Sequence, residues 1–380
     1  MKYYALLLAI LLFLGIDSAF AYPGGDGSSG NPYQLSTPAH IDELMSTPTV
    51  WGKYFIVTQN IDCFGYTWTG GNPQPIGNST DKFTGNFDGM GHTISNITYN
   101  LPSTDYVGFF GYISSGGEVS NLNLEKVNAT GVENVGVFCG RNDDGSTIKN
   151  CNATGNANGT DRVGGFCGWN FNGATIKNCS ATGDANGTDR VGGFCGWNYF
   201  IDATIINCSA TGDANGTDRV GGFCGFNNTG ATIENCIASG DATGSGEDIG
   251  GFCGWNFNGA TIETSYSYGS ATGNSNVGGF IGYNQSGNYT CCFWNSDANP
   301  TLEDSGNDGD LGAEVSSLTV TQFADKTNFA CFDFDNTWIM AGGKPVLTAL
   351  TIPTLSEWAV IIFIGLLAGV GGWFVWKRSA

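Results

Sequence analysis

The chain is poor in basic residues and very poor in histidine. Its 380 residues include 14 lysines and arginines, two histidines and 34 acidic residues, which give a formal net charge of −20. Binding of nucleic acid needs clustered Lys and Arg side chains that neutralise phosphates, so this composition excludes nucleic acid as a partner. An acidic surface favours solubility and divalent cations instead.

Sequence motifs of common enzymes are also missing. The chain has no Gly-x-Ser-x-Gly, His-Glu-x-x-His or Cys-x-x-Cys pattern, and its only histidines are His40 and His92. A catalytic triad or a zinc site is therefore not expected. The alternative is a polysaccharide-cleaving solenoid that uses carboxylates, for which Asp88 is the candidate. We predict a non-enzymatic protein.

Helical periodicity is missing from the middle of the chain. This region is dense in Gly, Asn, Thr and Ser, and its apolar residues come in short runs such as 163–167 and 175–179. Asn-Gly and Thr-Gly pairs, which are typical of turns, separate these runs. A helical repeat would instead need two amphipathic helices with a period of 3.6 residues.

What the middle of the chain does contain is a repeated hexapeptide. Val-Gly-Gly-Phe-Cys-Gly and its variants begin at Val107, Val135, Val163, Val191, Val220, Ile249 and Val277, so that successive copies start 28 or 29 residues apart. Such a period indicates a stack of identical supersecondary units. We predict an all-β parallel solenoid (a β-helix) with one coil per repeat and two or three short strands in each coil.

An asparagine follows each hexapeptide from Val135 onward at a fixed distance. The set is Asn142, Asn170, Asn198, Asn227, Asn256 and Asn284. In a solenoid, equivalent residues of successive coils lie directly above one another, and each amide can hydrogen-bond to its copy. We therefore expect these residues to form a stacked column.

The repeats resemble the GLUG-repeat family. In that family the hexapeptide precedes an Ile-x-Asn-Cys-x-Ala-Thr-Gly run, which begins here at Ile148, Ile176 and Ile205. The flanks at 30–37, 54–62, 75–77, 87–94, 332–338 and 342–347 are also similar to the family, so the resemblance spans roughly residues 26–348. It implies a right-handed parallel β-solenoid on an exported, adhesin-like surface protein. It does not imply one activity.

The N-terminus is typical of a secretory signal. Lys2 precedes an apolar run at 5–16, and the small-residue site Ala19-Phe20-Ala21 follows. We expect export by the Sec machinery and cleavage by signal peptidase after residue 21.

The C-terminus combines a short motif with an apolar segment. Residues 358–376 carry no charge, are long enough to cross a membrane, and precede the basic pair Lys377-Arg378. The residues in front resemble the Ile-Pro-Thr-Leu class of sorting signals that exosortase-type transpeptidases read in Gram-negative bacteria: Ile352, Pro353, Thr354, Leu355 and Trp358. One departure is Ala359, where that class usually has Gly. The resemblance implies a temporary inner-membrane span and display at the cell surface, and a permanent anchor is the alternative.

These observations divide the chain into five parts. The expected segments are a signal peptide (1–21), an N-terminal cap with the first coils (22–105), the repeat array (106–295), a closing segment (296–350) and the sorting tail (351–380).

Cysteine occurs in two columns of the repeat. One contains Cys139, Cys167, Cys195, Cys224 and Cys253, and the other contains Cys151, Cys179, Cys208 and Cys236. Export permits disulfides across each coil, which would pair Cys139–Cys151, Cys167–Cys179, Cys195–Cys208 and Cys224–Cys236. The alternative is stacked, buried thiols, because a free cysteine packs as a small apolar residue.

Two further sets of residues are candidate sites. Repeated acidic turns offer oxygen ligands for calcium, the only cofactor we consider, at Asp184, Asn186, Asp189, Asp213, Asn215 and Asp218, although solvated turns would have the same composition. A column of aromatic residues offers a surface for a glycan or a partner protein at Trp169, Trp197, Phe226, Trp255 and Tyr283, unless these rings only pack on each other. We predict an adhesive surface rod, and the rival prediction is a carbohydrate-binding or carbohydrate-cleaving solenoid.

Overall fold

The computed structural model describes Tyr22, residues 24–307 and residues 311–350. Its body is a parallel β-solenoid in which each repeat forms one coil, so the predicted fold class is confirmed. Equivalent residues of successive coils pair in register, for example Cys167 with Cys195 and Trp169 with Trp197. The right-handed winding stays a prediction.

Three of the four solenoid sheets in the described residues are single ladders of parallel strands. Sheet A contains Tyr33–Leu35, Tyr54–Val57, Asn86–Asp88, Glu118–Ser120, Thr147–Lys149, Thr175–Lys177, Thr204–Ile206, Thr232–Glu234, Thr261–Glu263 and Asn288–Thr290. Sheet B contains Phe110–Ile113, Cys139–Asn142, Cys167–Phe171, Cys195–Tyr199, Cys224–Asn228, Cys253–Phe257 and Ile281–Gln285. Sheet D contains Glu133–Gly136, Asp161–Gly164, Asp189–Gly192, Asp218–Gly221, Glu247–Gly250 and Ser275–Gly278.

Sheet C consists of two ladders that share the long strand Asn123–Thr130. The first ladder adds Ile61–Asp62, Thr93–Asn100, Asn152–Thr154, Ser180–Thr182, Ser209–Ala210, Ile237–Ala238, Tyr266–Ser267, Cys292–Asn295 and Val315–Leu318. The second adds Ala157–Asn158, Ala185–Asn186, Ala214–Gly216, Ala242–Gly244 and Ala271–Thr272.

The prediction of two or three strands per coil is wrong. The coil 161–188 contains five: Asp161–Gly164, Cys167–Phe171, Thr175–Lys177, Ser180–Thr182 and Ala185–Asn186. The chain bends between strands at residues with positive φ, such as Asn172 (50°) and Asn178 (55°), and within the strand Asp161–Gly164 at Arg162 (54°). One residue with positive φ is enough to turn the backbone. Each coil therefore consists of several short strands joined at bends.

The interior of the solenoid is built from columns of identical apolar residues. Phe138, Phe166, Phe194, Phe223, Phe252 and Phe280 are fully buried, and neighbouring rings stack with centroids 4.6–5.1 Å apart. Columns of Val or Ile, Ile, Ala and Cys surround them, also without exposed surface. Burial of each Phe, Val or Ile side chain contributes about 1.5–3 kcal/mol relative to exposure. A single coil could not bury these residues alone, which explains the repetition.

The paired glycines of the hexapeptide lie where the backbone leaves no room for a side chain. A Cβ on Gly164 would lie 2.1 Å from the carbonyl oxygen of Cys167, and one on Gly193 would lie 2.2 Å from that of Gly222. The second glycine of each pair therefore packs directly on its copy in the next coil. This contact accounts for the Gly-Gly of the motif.

A short helical segment closes the N-terminal end. The helix Pro38–Ser46 begins after Thr37, whose side chain accepts a hydrogen bond from the His40 N–H, and Ile41 and Leu44 on it are fully buried. The 3₁₀ turn Pro48–Val50 follows.

The closing segment folds back on the last coils. It contains the helix Val320–Phe323, the antiparallel hairpin Trp338–Ala341 with Lys344–Leu347, and the 3₁₀ turns Gly312–Glu314, Lys326–Phe329 and Thr348–Leu350. Trp338 is fully buried and donates from Nε1 to Oδ1 of Asn235 at 3.3 Å. A disulfide joins Cys291 to Cys331, 40 residues apart. This segment thus covers the outer side of the first sheet C ladder.

The predicted signal peptide, sorting motif and transmembrane helix lie outside the described residues. Within the part of the chain that the structure describes, no helix has the length and apolar character that a membrane span requires.

Candidate binding face

The predicted aromatic column lies on the outside of sheet B. Strand pairing sets Trp169, Trp197, Phe226, Trp255 and Tyr283 in register across five coils. Side chains alternate across a strand, and the asparagine that directly follows each of the first four rings is fully buried, so the aromatic residue points outward. The three tryptophans are half-buried and Phe226 is 6% exposed.

Rings within the column stack on each other. Centroids of Trp169 and Trp197 are 5.1 Å apart with an interplanar angle of 8°, and those of Phe226 and Trp255 are 4.8 Å apart at 16°. Most ring faces are therefore covered by the next ring, and the column presents ring edges to solvent. The parallel stacking stops at Trp255, because the Tyr283 ring meets it at 75°.

A second aromatic column was missed from the sequence. Phe171, Tyr199 and Phe257 lie two residues further along the same strands, so they emerge on the same side of sheet B. Phe171 and Tyr199 are half-buried, and their ring centroids lie 5.4 Å apart. The recurring Trp-Asn-Phe/Tyr pattern would have revealed this column.

The coil that begins at Val191 is one residue longer than its predecessor, and it places two apolar side chains beside these columns. Phe200 is 39% exposed and Ile201 is 57% exposed. Phe200 contacts Phe171 and Tyr199 at centroid distances of 5.8 and 5.7 Å. We call both columns together with Phe200 and Ile201 the aromatic face.

Arginine side chains line one border of the aromatic face. Arg162, Arg190 and Arg219 each pair with the acidic residue one coil earlier, which is Glu133, Asp161 and Asp189, respectively. We call this set the arginine ladder.

Each arginine of the ladder combines an ion pair with an aromatic contact. Arg190 binds Asp161 through both Nε and Nη2, with Nε 2.7 Å from Oδ1, and its guanidinium carbon lies 4.8 Å from the centre of the Trp197 ring. At the N-terminal end of the column, Arg141 lies 3.9 Å from the Trp169 ring centre and pairs with Asp143 at 2.7 Å. Arginine thus covers ring surface that would otherwise contact solvent.

Three indole N–H groups lack a hydrogen-bond acceptor among the described residues. They are Nε1 of Trp169, Trp197 and Trp255, and all three are buried. An unsatisfied buried donor costs about 1–3 kcal/mol. These tryptophans are therefore not optimal for stability alone.

The predicted calcium ligands lie in separate columns and already accept protein hydrogen bonds. Oδ1 of Asp184 accepts the Asp213 N–H at 3.1 Å, and Oδ1 of Asp213 accepts the Asp241 N–H at 2.9 Å. Asn215 donates to Asn186 at 3.2 Å, while Asp189 pairs with Arg219 and Asp218 accepts the Glu247 N–H. No cluster of three or more His, Cys, Asp or Glu residues suited to a metal occurs in the described segments. The calcium site stays a sequence prediction that these contacts do not favour.

The cross-coil disulfides Cys139–Cys151, Cys167–Cys179, Cys195–Cys208 and Cys224–Cys236 are not formed. All eight residues are buried free thiols, so this alternative is wrong in the structure. The two columns belong to different walls, and thiols of both columns donate to backbone carbonyls of their own wall, as Cys179 does to Lys177 at 3.2 Å and Cys195 to Trp197 at 3.3 Å. Burial raises the pKa of Cys151 and Cys179 well above the usual value.

The disulfide that is present was not predicted. Cys291 and Cys331 belong to neither column, and Cys291 adjoins Cys292, which continues the inward register as a free thiol. Their position outside the repeat register is the sequence feature that could have indicated this disulfide.

The residues considered for catalysis make structural contacts. His40 Nδ1 accepts the backbone N–H of Ser36 at 3.1 Å, and His92 Nδ1 contacts Oδ1 of Asn60 at 3.3 Å. Oδ1 of Asp88 accepts the Met90 N–H at 2.8 Å and Nδ2 of Asn121 at 3.0 Å.

Comparison with known proteins supports the repeat assignment. The family model described as the GLUG motif matches residues 131–158, 159–186, 187–215 and 216–243. Halomucin from Haloquadratum walsbyi is 32% identical over 138 residues, which are 34% of this chain and 2% of halomucin. The "Putative Gly-rich membrane protein" of Evansella cellulosilytica is 34% identical over 119 residues, which are 31% of this chain and 14% of that protein. The chain thus matches only a small part of the length of either relative.

A solved structure shares the fold along most of the chain. The crystal structure of a "putative immunoglobulin A1 protease" from Bacteroides ovatus is similar with a TM-score of 0.56 and 20% sequence identity, and the match covers 86% of this chain and 94% of that one. This similarity shows the fold alone. The chain is a parallel β-solenoid that contains four GLUG repeats.

Proposed function

We propose that this chain is a non-enzymatic, exported cell-surface protein whose solenoid acts as an adhesive rod. The observation that carries the proposal is the aromatic face, on which half-buried rings and the exposed Phe200 and Ile201 lie side by side. Contiguous exposed apolar surface of this kind is typical of sites that bind a partner. Aromatic residues and arginine are the residue types enriched at protein interfaces.

Ring geometry favours a protein partner over a glycan. A sugar ring stacks on an open aromatic face, whereas Trp197 is covered by Trp169 at 5.1 Å and by Phe226 at 5.7 Å. Ring edges, arginine side chains and the apolar pair Phe200 and Ile201 suit a protein surface better. A carbohydrate ligand is the competing outcome of the experiment below.

The aromatic face is held rigidly. Each of its strands pairs with a strand on both sides through most of sheet B, and the buried asparagine next to each ring bonds to its copy in the adjacent coil. Binding surfaces on paired strands are better preorganised than surfaces on loops.

Export and sorting complete the proposal. The signal at 1–21 would take the chain through the Sec pathway, and the motif at 352–358 would direct an exosortase-type transpeptidase to remove the membrane segment 358–376. The name of the Evansella relative, a membrane protein, supports a membrane-linked location.

Binding can be tested with protein arrays, glycan arrays and beads coated with the purified chain. The variant Phe200→Ser/Ile201→Ser removes the exposed apolar pair, and Trp169→Ala/Trp197→Ala removes two rings of the column. Val320→Ser, at a residue that is 43% exposed on the closing segment, is the matched control. Loss of protein binding in both double variants but not in the control supports the proposal. Binding of glycans alone, or of nothing, contradicts it.

Sorting can be tested by the intact mass of the protein recovered from cell-surface fractions. We expect a species that lacks residues 1–21 and has been cut near 352–358. A mature protein that retains residues 359–380 contradicts the exosortase step. Accumulation in the cytoplasm contradicts export.

A further inference from the structure

The arginine ladder stops abruptly within the repeat array. Three successive coils carry arginine at one position (Arg162, Arg190 and Arg219), and the next coil carries Asp248 there. Asp248 keeps the same backbone conformation, with φ of 64° against 50° for Arg219. At this position the side chain is therefore an anion instead of a cation, while the backbone conformation is the same.

The substitution leaves the preceding acidic residue without an arginine. Asp161 and Asp189 each bind the guanidinium of the next coil through both carboxylate oxygens. Asp218 is the next member of that acidic column, and among the described residues its Oδ1 accepts only the Glu247 N–H, at 2.9 Å. Among the described residues, no Lys, Arg or His nitrogen lies within 4 Å of the carboxylate oxygens of Asp218, Glu247 or Asp248.

A cleft of about 280 Å³ opens where the missing arginine would lie. Its walls include all three carboxylates, together with the rings of Trp255 and Tyr283. Arg219 also borders the cleft, but its guanidinium is bound to Asp189. The cleft therefore combines an unbalanced negative charge with aromatic surface.

One carboxylate of the cleft is almost completely withdrawn from solvent. Asp248 is 7% exposed, and Asn276 donates to its Oδ1 at 2.8 Å. Its Oδ2 has no hydrogen-bond donor in the described part of the chain. This oxygen is not fully buried, so it can accept a hydrogen bond from a group that enters the cleft.

We propose that this cleft binds the guanidinium group of an arginine side chain supplied by the partner protein. The earlier coils contain the template, since Arg190 bonds to Asp161 while it lies 4.8 Å from the Trp197 ring centre. A guanidinium from a partner would bind the carboxylate of Asp218 as Arg190 binds that of Asp161. It would also lie beside the rings of Trp255 and Tyr283. A planar donor fork suits this arrangement better than the compact ammonium of lysine.

This inference deepens the proposed function, because it names the chemistry of one partner residue at the C-terminal end of the aromatic face. It can be tested without the partner. The probe is N-acetylarginine amide, added to the purified full chain, and the readout is the NMR shift of the Trp255 indole N–H. We expect a saturable shift with a dissociation constant on the order of 1 mM, which is typical of a ligand of this size. The neutral isostere N-acetylcitrulline amide should bind at least about tenfold more weakly, since it cannot form charge-assisted bonds.

Variants separate this site from the rest of the face. Asp248→Arg restores the arginine of the arginine ladder at this position. Its side chain should occupy the cleft and abolish the NMR shift, and thermal unfolding checks that the variant is folded. Asp218→Asn should weaken binding without filling the cleft, while Asp213→Asn, in another acidic column, should leave it unchanged. Equal shifts with arginine and citrulline amides, unchanged binding by Asp248→Arg, or no saturable shift at Trp255 would each overturn the inference. None of these outcomes bears on the binding test with the Phe200→Ser/Ile201→Ser variant. The arginine site and the proposed adhesive function can therefore fail separately.

Discussion

Asn170 donates a hydrogen bond from Nδ2 to Oδ1 of Asn198 at 2.9 Å, one coil further along the solenoid. Both residues are completely buried, and Asn198 repeats the contact toward Asn227 at the same distance. The asparagine column therefore satisfies buried amides by their own copies, as its sequence register predicted. In a low-dielectric interior such a ladder is stable only when it is continuous.

Interrupting this ladder should destabilise the protein strongly. We expect Asn198→Thr to lower the free energy of unfolding by about 1–3 kcal/mol, because the buried Oδ1 of Asn227 loses the donor that Asn198 supplies, whereas Nδ2 of Asn170 keeps the carbonyl of Ala174 at 3.2 Å. Urea unfolding monitored by circular dichroism measures the change. Asn186→Thr is the control, since Asn186 belongs to a half-buried column in which Thr243 occurs naturally. Equal losses for the two variants would show that the buried ladder has no special role.

The second glycine of the hexapeptide should tolerate no side chain. We expect Gly193→Ala to cost about 3 kcal/mol or more, because its Cβ would lie 2.2 Å from the carbonyl oxygen of Gly222 and the coils would have to separate. In contrast, Gly30→Ala should change the stability by less than about 0.5 kcal/mol, since no atom lies within 4 Å of a Cβ there. Denaturant unfolding of both variants provides the comparison. A native-like stability of Gly193→Ala would refute the packing explanation of the Gly-Gly pair.

The repeat made the fold predictable because coil-to-coil register constrains every buried residue. Phe166, Cys167 and Asn170 had to stack on their copies, and the stacking was visible as a period of 28 residues. Strand number was less accessible, because the left-handed corners at Arg162 and Asn178 involve residue types that also occur in extended strands. The handedness of the solenoid leaves no signature in the sequence of a single repeat.

Predicting the candidate site from sequence was harder. The outward position of Trp169 follows from its place directly before the buried Asn170, but the coverage of its ring by Arg141 depends on side-chain geometry at 3.9 Å. The cleft was visible only as the replacement of arginine by Asp248 in an otherwise regular column. That replacement means little until the structure shows that each arginine pairs with the acid of the preceding coil.

Trp197 should be replaceable by phenylalanine but not by alanine. Its buried Nε1 has no acceptor in the described residues, and Phe226 occupies the same column one coil later. We therefore expect Trp197→Phe to change the free energy of unfolding by less than about 1 kcal/mol. Trp197→Ala should cost about 2–3 kcal/mol through lost stacking and burial. Thermal and urea unfolding measure both, and a large loss in the phenylalanine variant would indicate an acceptor for the indole N–H, such as an ordered water.

The cysteine columns should be inert until the protein unfolds. All eleven free thiols are buried, so a reagent in solution does not reach them in the native state, and burial raises the pKa of Cys151 and Cys179 in the second column. We expect no alkylation of the native protein by iodoacetamide, eleven labels after unfolding without reductant, and 13 after reduction of the Cys291–Cys331 bond. Mass spectrometry counts the labels. Fewer than eleven labels on the unfolded, non-reduced chain would reinstate cross-coil disulfides.

Asp248 should make the protein less stable as the pH rises. Burial raises the pKa of this carboxyl above the usual 3.8, the hydrogen bond from Asn276 and the charge of Arg219 oppose the shift, and the charges of Glu247 and Asp218 add to it. The unfolded chain therefore releases its proton first, so stability is lost between pH 3.8 and the higher pKa of the folded state. Asp248→Asn should match the wild type at low pH and exceed its stability above that window.

Asp62→Asn provides a control of opposite sign. Hydrogen bonds from the Asn96 side chain and the Phe64 N–H lower the pKa of Asp62, so its carboxylate stabilises the folded state above pH 3.8, and this contribution disappears as the pH falls through the folded pKa. This variant should become less stable than the wild type as the pH rises, whereas Asp248→Asn becomes more stable. Urea unfolding between about pH 2 and pH 7 compares both variants with the wild type below and above pH 3.8. A pH-independent difference between Asp248→Asn and the wild type would mean that Asp248 titrates as it does in the unfolded chain, so that neither its burial nor the neighbouring carboxylates disfavour its charge.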